Sequence, residues 1–433
     1  MPDDMSVAEA LSVPDDVARQ AIDPRAYADG SAMEAFKWLR ANRPLAKADL
    51  EGIRPFWIVT RHADILEVSR QNDLFHSGDY STTFTNLQGE ERVKAMTGGS
   101  PHLVRTLVQM DAPDHPKYRL MTQAWFMPQN VRKLEDRIRQ IARETVDHMA
   151  SLGGECDFVS DVAMHYPLRV IMEILGVPRE DEPRMLKLTQ ELFGASDPEL
   201  NRSQGDMETA ADPFADLQGV IADFFMYFKK ITDDRKASPK DDVASVIANG
   251  QIDGQPISDF EAMSYYVIVA TAGHDTTSSS TAGAMWGLCQ FPETFAQVKA
   301  DPSLIPALVD ESIRWITPVK HFMRSATEDA ELAGQVIAKG DWLWLAYPSG
   351  NRDEAVFEAP DEFRLDRGPS KHLAFGYGAH LCLGQHLAKL EMRILFEELL
   401  PRLKSVEFAG EPALSYGSFV GGPKRLPIRF TLA

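Results

Sequence analysis

The ten residues Phe375-Gly376-Tyr377-Gly378-Ala379-His380-Leu381-Cys382-Leu383-Gly384 set one cysteine among three glycines. A thiolate that ligates a metal must be deprotonated and shielded from water. Gly376 and Gly378 permit positive φ and remove the Cβ atoms that would hold a planar ring off the backbone, and Gly384 permits the same closeness just past the cysteine. Backbone N–H groups of such a loop, with the N-terminus of a following helix, stabilise negative charge on sulfur. Two other chemistries fit these residues. Cys382 can be a structural thiol buried in a glycine turn, or a nucleophile activated by His380 or His386.

A second candidate is Ala272-Gly273-His274-Asp275-Thr276-Thr277, a small pair followed by an acid and an alcohol. The plain reading is a helix whose hydroxyls bond back to the preceding turn, since Thr276 opens a Ser/Thr run. His274 is expected to face outward and is given no role. A third is Glu311-Ser312-Ile313-Arg314, opposite charges three apart on one helix face, which on a surface is worth only a few tenths of a kcal/mol, about 0.3.

These groups need elements to hold them. Apolar residues at three- and four-residue intervals predict helices over 131–152, 183–193 and 214–232. The stretch 259–290 has no proline and is apolar on more than one face, which predicts a helix buried through the middle of the molecule, ended by Pro292. A further amphipathic helix is expected over 387–403, directly after the cysteine loop. Strand signals are fewer: a short strand over 56–60, and a hairpin over 331–345 with Lys339-Gly340-Asp341 preceding Trp342-Leu343-Trp344-Leu345. Residues 348–367 read as an irregular meander, and 77–105 as polar and irregular. The fold class is therefore mainly α with small β pieces.

The 433 residues show no linker, repeat or low-complexity tract, so a single domain, 1–433, is expected. Lys+Arg number 45 against 64 Asp+Glu, an acidity that argues against a nucleic-acid partner. The acidic first thirty residues have neither the basic start nor the apolar core of a signal peptide, and no apolar run approaches the roughly 20 residues that span a bilayer. No membrane anchor and a cytoplasmic location are expected. Cys156, Cys289 and Cys382 are too scattered for a disulfide framework or a zinc site.

The spacing Phe-Gly-x-Gly-x-His-x-Cys-x-Gly resembles, without a mismatch, the haem-binding loop of the cytochromes P-450. The likeness extends over nearly the whole chain, including 272–279, 379–390 and the ending Phe419-Val420-Gly421-Gly422-Pro423-Lys424. It implies the cytochrome P-450 fold, a helix-rich triangular prism with small β-sheets, holding haem b (iron protoporphyrin IX) with Cys382 as axial ligand. Within that resemblance Ala272 and Gly273 leave room for dioxygen, while Thr276 and Asp275 pass it protons. Glu311 and Arg314 lock the core, with a third partner in the Pro360-Asp361-Glu362-Phe363 meander, where this chain offers Glu362. His115 and Arg119 of Asp111-Ala112-Pro113-Asp114-His115-Pro116-Lys117-Tyr118-Arg119, with Arg324 and His372, fall at positions that clamp the haem propionates, and Phe375 and Gly376 lie against the ring. Ile268, Ala272, Val319, Phe419 and Val420 fall where the family contacts substrate.

The implied reaction is hydroxylation of a small hydrophobic molecule, a monoterpenoid such as α-terpineol first and an aromatic hydrocarbon second, with O2 and NAD(P)H. The chain has no dinucleotide fingerprint and no flavin or iron–sulfur set, so a ferredoxin and ferredoxin reductase are the implied partners, docking near Arg119, Lys371, Lys389 and Arg393. A monomer is expected. A peroxide-driven peroxygenase and a non-catalytic haem sensor are the alternatives.

Overall fold

The computed structural model describes residues 12–203, 213–369 and 371–433. Helices dominate and the strands form small sheets, as expected from the hydrophobic periodicity. The described residues gather into two compact units, one within Met1–His115, Val319–Asp361 and Lys371–Cys382, the other within Pro116–Pro318, Glu362–Ser370 and Leu383–Ala433.

The first unit is built on a five-stranded sheet in the order Leu45–Ala48, Phe56–Val59, Trp342–Ala346, His321–Ala326, Phe75–His76. Phe56–Val59 and Trp342–Ala346 run parallel; the other neighbours are antiparallel. Both faces are covered, so its central strands read as continuous apolar runs. Side chains alternate across the sheet. Phe56, Ile58, Met323, Trp342 and Trp344 fill the core against the N-terminal helices, and Trp57, Val59, Leu343 and Leu345 fill the opposite one.

Two expectations need correction here. The hairpin is Ala330–Leu332 paired with Gln335–Ile337, turning at Ala333-Gly334, both at positive φ; Lys339-Gly340-Asp341 only leads into the neighbouring strand. Residues 77–105 are not wholly irregular, because Leu87–Thr97 is a helix. Asn86 caps it by accepting from the Gly89 N–H at 2.7 Å, and left-handed Gly98 ends it.

The second unit is helical. Pro128–Val131 leads through a tight turn into Glu135–Ser151; Glu182–Phe193 and Pro213–Ala237 also form near their predicted bounds. Gln385–Leu399 follows the cysteine loop and is joined to Glu135–Ser151 by ion pairs of Arg139 with Glu397 (2.7 Å) and Glu398 (2.9 Å) and of Arg393 with Glu135 (3.3 Å).

The long apolar run starts where Ser258 and Glu261 form a reciprocal capping box. It is two helices, Asp259–Ala272 and Asp275–Gln290, interrupted at Gly273-His274. His274 sits at φ −100°, ψ −73°, off ordinary helical geometry. The second helix is buried along most of its length. At Gly287 a Cβ would fall 2.8 Å from the Phe363 ring, which stacks on Phe291 and packs edge-on against Trp315, so only glycine admits the ring there. No helix among the described residues is long and apolar enough to cross a membrane.

Candidate functional site

The cysteine loop is closed by its own backbone. The Cys382 N–H donates to the Phe375 carbonyl at 2.8 Å, and the Gly376 N–H to the Leu373 carbonyl at 2.8 Å. Gly376 (φ +69°) and Gly378 (φ +70°) both lie in the left-handed region. At Gly378 a Cβ would stand 2.1 Å from the Ser69 carbonyl oxygen, whereas at Gly376 the nearest atom would be 3.6 Å away. Gly384 has ordinary φ (−86°) as the residue capping Gln385–Leu399, so its backbone conformation does not demand glycine. All three cysteines are free thiols, and Cys382 is half-buried.

Four further residues of the first unit bear on the loop. His115 is buried, and its ring lies 4.3 Å from that of His380, centre to centre. The His380 Nε2 is 3.2 Å from the Ser77 hydroxyl. The Asp111 carboxylate accepts from the Ser77 and Gly78 N–H groups, both at 2.8 Å, and so fixes the segment that meets His380. The His372 Nδ1 accepts from the Ala374 N–H at 3.3 Å, with its ring 5.5 Å from Phe375. The Asp-x-Pro-x-His segment and the Phe375–Cys382 loop, far apart in sequence, are thereby brought together. His386, the second candidate base, is exposed.

Arg324 is almost fully buried. It donates to the neighbouring Met323 carbonyl at 2.8 Å, and among the described residues no carboxylate is in ion-pair reach. Burial pulls its pKa down, partly opposed by Tyr347 and Asp111. A buried guanidinium of this kind calls for an anion. A thiol in a glycine-opened loop, imidazoles against that loop and a buried cation in the same unit fit a planar metal-bearing ring with acidic side groups. Haem has that chemistry, and the residues present fit it.

In the second unit the interrupted helix presents an accessible stripe. Ile268 and Thr276 are half-buried and Ala272 is exposed, while most residues around them are buried. These positions are four apart and share one face. The Thr276 hydroxyl donates to the Ala272 carbonyl at 2.8 Å, satisfying an acceptor next to the break. Asp275 stands beside it with one carboxylate oxygen buried. Arg119, on Asp114–Phe126, is half-buried. Phe419 is half-buried with its ring 6.3 Å from Phe193, but Val420 is buried. Val319, in the first unit, packs on the core of the sheet.

His274 does not face outward. It is 1% exposed, with Nε2 2.8 Å from the Met164 carbonyl and Nδ1 2.9 Å from the Thr189 hydroxyl. The docking cations also need revision: Lys389 pairs with Asp310 at 2.7 Å and Arg393 with Glu135 and Glu397, so both are largely neutralised within the molecule.

Glu311 and Arg314 form a buried two-point ion pair, at 2.7 and 2.8 Å. The third partner is not the Glu362 side chain. Arg367 donates from Nε to Glu311 Oε1 at 2.8 Å, and Glu362 contributes only its main-chain carbonyl, to Arg314 (3.1 Å) and Arg367 (2.7 Å). The Arg364 N–H adds a fourth bond to Glu311 at 2.9 Å. Arg367 carried no motif signal; a cation shortly after the Pro-x-x-Phe segment was the only available hint.

The sequence pattern of the family "Cytochrome P450" matches residues 83–407. The chain is 50% identical to cytochrome P450-terp of Pseudomonas sp over 98% of its own length and 99% of the relative's. It is 31% identical to linalool 8-monooxygenase of Pseudomonas putida, over 94% and 97%. Among solved structures, CYP108D1 of Novosphingobium aromaticivorans superposes with a TM-score of 0.89 at 48% identity, covering 98% of this chain and all of that one. A Mycobacterium marinum cytochrome P450 in complex with pseudoionone superposes with a TM-score of 0.85 at 32% identity, covering 99% of each.

Proposed function

The chain belongs to the cytochrome P450 family and is a haem-dependent monooxygenase; from that premise we propose that Cys382 is its thiolate ligand and a compact terpenoid its substrate. The observation that carries the ligand assignment is the loop itself. Of the three thiols, only Cys382 sits in a backbone-closed turn whose glycines hold positive φ. When bound, haem supplies the iron at which dioxygen is reduced and one of its atoms passed to a C–H bond.

The residues divide the remaining work. Arg324 and His115, with His372 and Arg119, would hold the propionates, which answers the uncompensated burial of Arg324. Phe375 and Gly376 would lie against the ring. Ala272 keeps its stretch of helix open by being small. Thr276, anchored on the Ala272 carbonyl, and Asp275 beside it hold and move the two protons the reaction consumes.

Ile268, Ala272, Phe419 and Val420 of the second unit, and separately Val319 of the first, are the proposed substrate contacts, apolar side chains suited to a molecule of roughly ten carbons. Phe419 and Ile268 are the better supported, because Val420 is buried and Val319 packs on the sheet core. Support for a terpenoid comes from the relatives named for linalool and solved with pseudoionone. An aromatic hydrocarbon is second. Electrons would arrive from NAD(P)H through a ferredoxin and its reductase.

A spin-shift titration with α-terpineol, linalool, p-cymene and a C12 fatty acid, followed by turnover with NADH and a ferredoxin system, tests this reading. Tight binding and hydroxylation of a monoterpenoid are expected. Binding of the fatty acid alone overturns the substrate, since that ligand needs a long channel and a partner for its carboxylate. Turnover with hydrogen peroxide but not with NADH overturns the monooxygenase cycle.

A further inference from the structure

His274 lies inside the Ala-Gly-His-Asp-Thr segment yet has no part in the mechanism above. Its surroundings are unusually complete. The Met164 carbonyl can only accept, so the Nε2 atom 2.8 Å away must carry a hydrogen and donate it. That leaves Nδ1 facing two groups, the Thr189 hydroxyl at 2.9 Å and the Asp275 Oδ2 at 3.3 Å. The Asp275 Oδ2 is buried and makes no hydrogen bond, and among the described residues His274 is the only basic side chain in reach of this carboxylate.

Counting protons constrains the arrangement. With Nδ1 bare, its lone pair and a carboxylate oxygen would oppose one another. One proton on either member of the pair relieves this, on Nδ1 as imidazolium or on Asp275 as acid. The Thr189 hydroxyl accommodates both cases, because it also lies 3.0 Å from the Leu186 carbonyl. When Nδ1 carries the proton, Thr189 accepts from it and donates to Leu186. When Asp275 has taken the proton, Thr189 turns its single hydrogen to Nδ1.

Acids on the elements packed around this helix are engaged elsewhere. Glu182 binds His165 and Arg169, Glu191 faces Lys187 and Arg202, Glu311 binds Arg314 and Arg367, and Glu391 receives a hydrogen bond from Thr277.

We propose that His274 is a positioning residue of the proton relay, holding one proton jointly with Asp275 and supplying it to that carboxyl for each transfer toward Thr276. The inference rests on the monooxygenase reading of the site. In the step, the Nδ1 proton moves to Asp275 Oδ2, that carboxyl passes a proton on toward Thr276, and the Thr189 hydroxyl swings from Leu186 to the freed Nδ1 lone pair. Water restores the couple through the Asp275 side chain, which keeps 16% exposure against 1% for His274.

The decisive variant is His274→Gln, whose amide can still donate to the Met164 carbonyl but cannot carry a proton at Nδ1. A merely structural histidine would be replaced without kinetic effect. The expected result is an unchanged spin-shift titration and unfolding midpoint, a kcat for NADH-driven turnover lower by about tenfold, and a solvent deuterium isotope effect larger than wild type. The loss is smaller than for deletion of an acid because Asp275 remains. A kcat and isotope effect equal to wild type overturn the proposal.

Nitrogen NMR of histidine-labelled ferrous-carbonyl protein tests the couple without turnover. An Nδ1–H on His274 in the wild type that disappears in Asp275→Asn supports it; identical ring signals in the two proteins refute it. A wild type that shows this couple but no turnover with NADH tells instead against the monooxygenase reading.

Discussion

Replacing Arg367 by alanine tests how the buried charge cluster around Glu311 is held. The Glu311 carboxylate is 4% exposed and accepts four bonds: two from Arg314, one from the Arg367 Nε and one from the Arg364 N–H. Arg367 is itself only 13% exposed, so its bond is barely screened. A hydrogen bond between charged partners in such a setting contributes about 1.5–3 kcal/mol, and Arg367→Ala should cost about that much. Glu311→Ala strands two largely buried guanidinium groups and should cost about 3–5 kcal/mol. Glu362→Ala removes an exposed side chain while leaving its carbonyl in place, and should cost within about 0.5 kcal/mol. Urea unfolding followed by circular dichroism, with unchanged slope, measures all three, and a Glu311/Arg367 double-mutant cycle isolates their coupling. If Glu362→Ala destabilises as much as Arg367→Ala, the assignment of the third partner is wrong.

Gly378→Ala should expel or misplace the haem far more than Gly376→Ala, because both must adopt positive φ but only the former drives a Cβ into the Ser69 carbonyl; haem content per protein after purification reads this out. Thr276→Ala should bind substrate and consume NADH normally while releasing most of the electrons as peroxide; product per NADH equal to wild type removes Thr276 from proton handling. Burial, reinforced by Arg352, lowers the Lys320 pKa from its ordinary value to about 7. Between pH 7 and roughly 10 the unfolded chain therefore binds the proton that the folded state has lost, so this residue makes stability rise with pH across that window. Lys320→Met should flatten that rise, and an unchanged pH dependence of the unfolding midpoint contradicts the assignment.

What could be read before the structure follows the physics of each signal. Gly376 and Gly378 were legible because positive φ and close approach are demands that few residues meet. Helices such as Pro213–Ala237 were legible because burial of one face imposes a period. The failures have equally local causes. Helix Leu87–Thr97 has a weak apolar stripe and was marked only by its ends, the Asn86 cap and Gly98. Arg367 lies in a meander with no period, so nothing in sequence brings it to Glu311. His274 is expected to face outward from its place between the two halves of the motif, but the helix breaks there and the ring lies inward between Met164 and Thr189. The five-stranded sheet joins strands nearly three hundred residues apart in sequence, a pairing that no local pattern encodes.

The most direct test of the whole account is the ferrous-carbonyl spectrum of the wild type beside Cys382→Ser. Thiolate ligation moves the Soret band to the long-wavelength position that distinguishes this family, because sulfur donates far more charge to iron than an alcohol oxygen does. That band is expected in the wild type and lost in Cys382→Ser, with Cys156→Ser and Cys289→Ser unchanged. Persistence of the band in Cys382→Ser would contradict it.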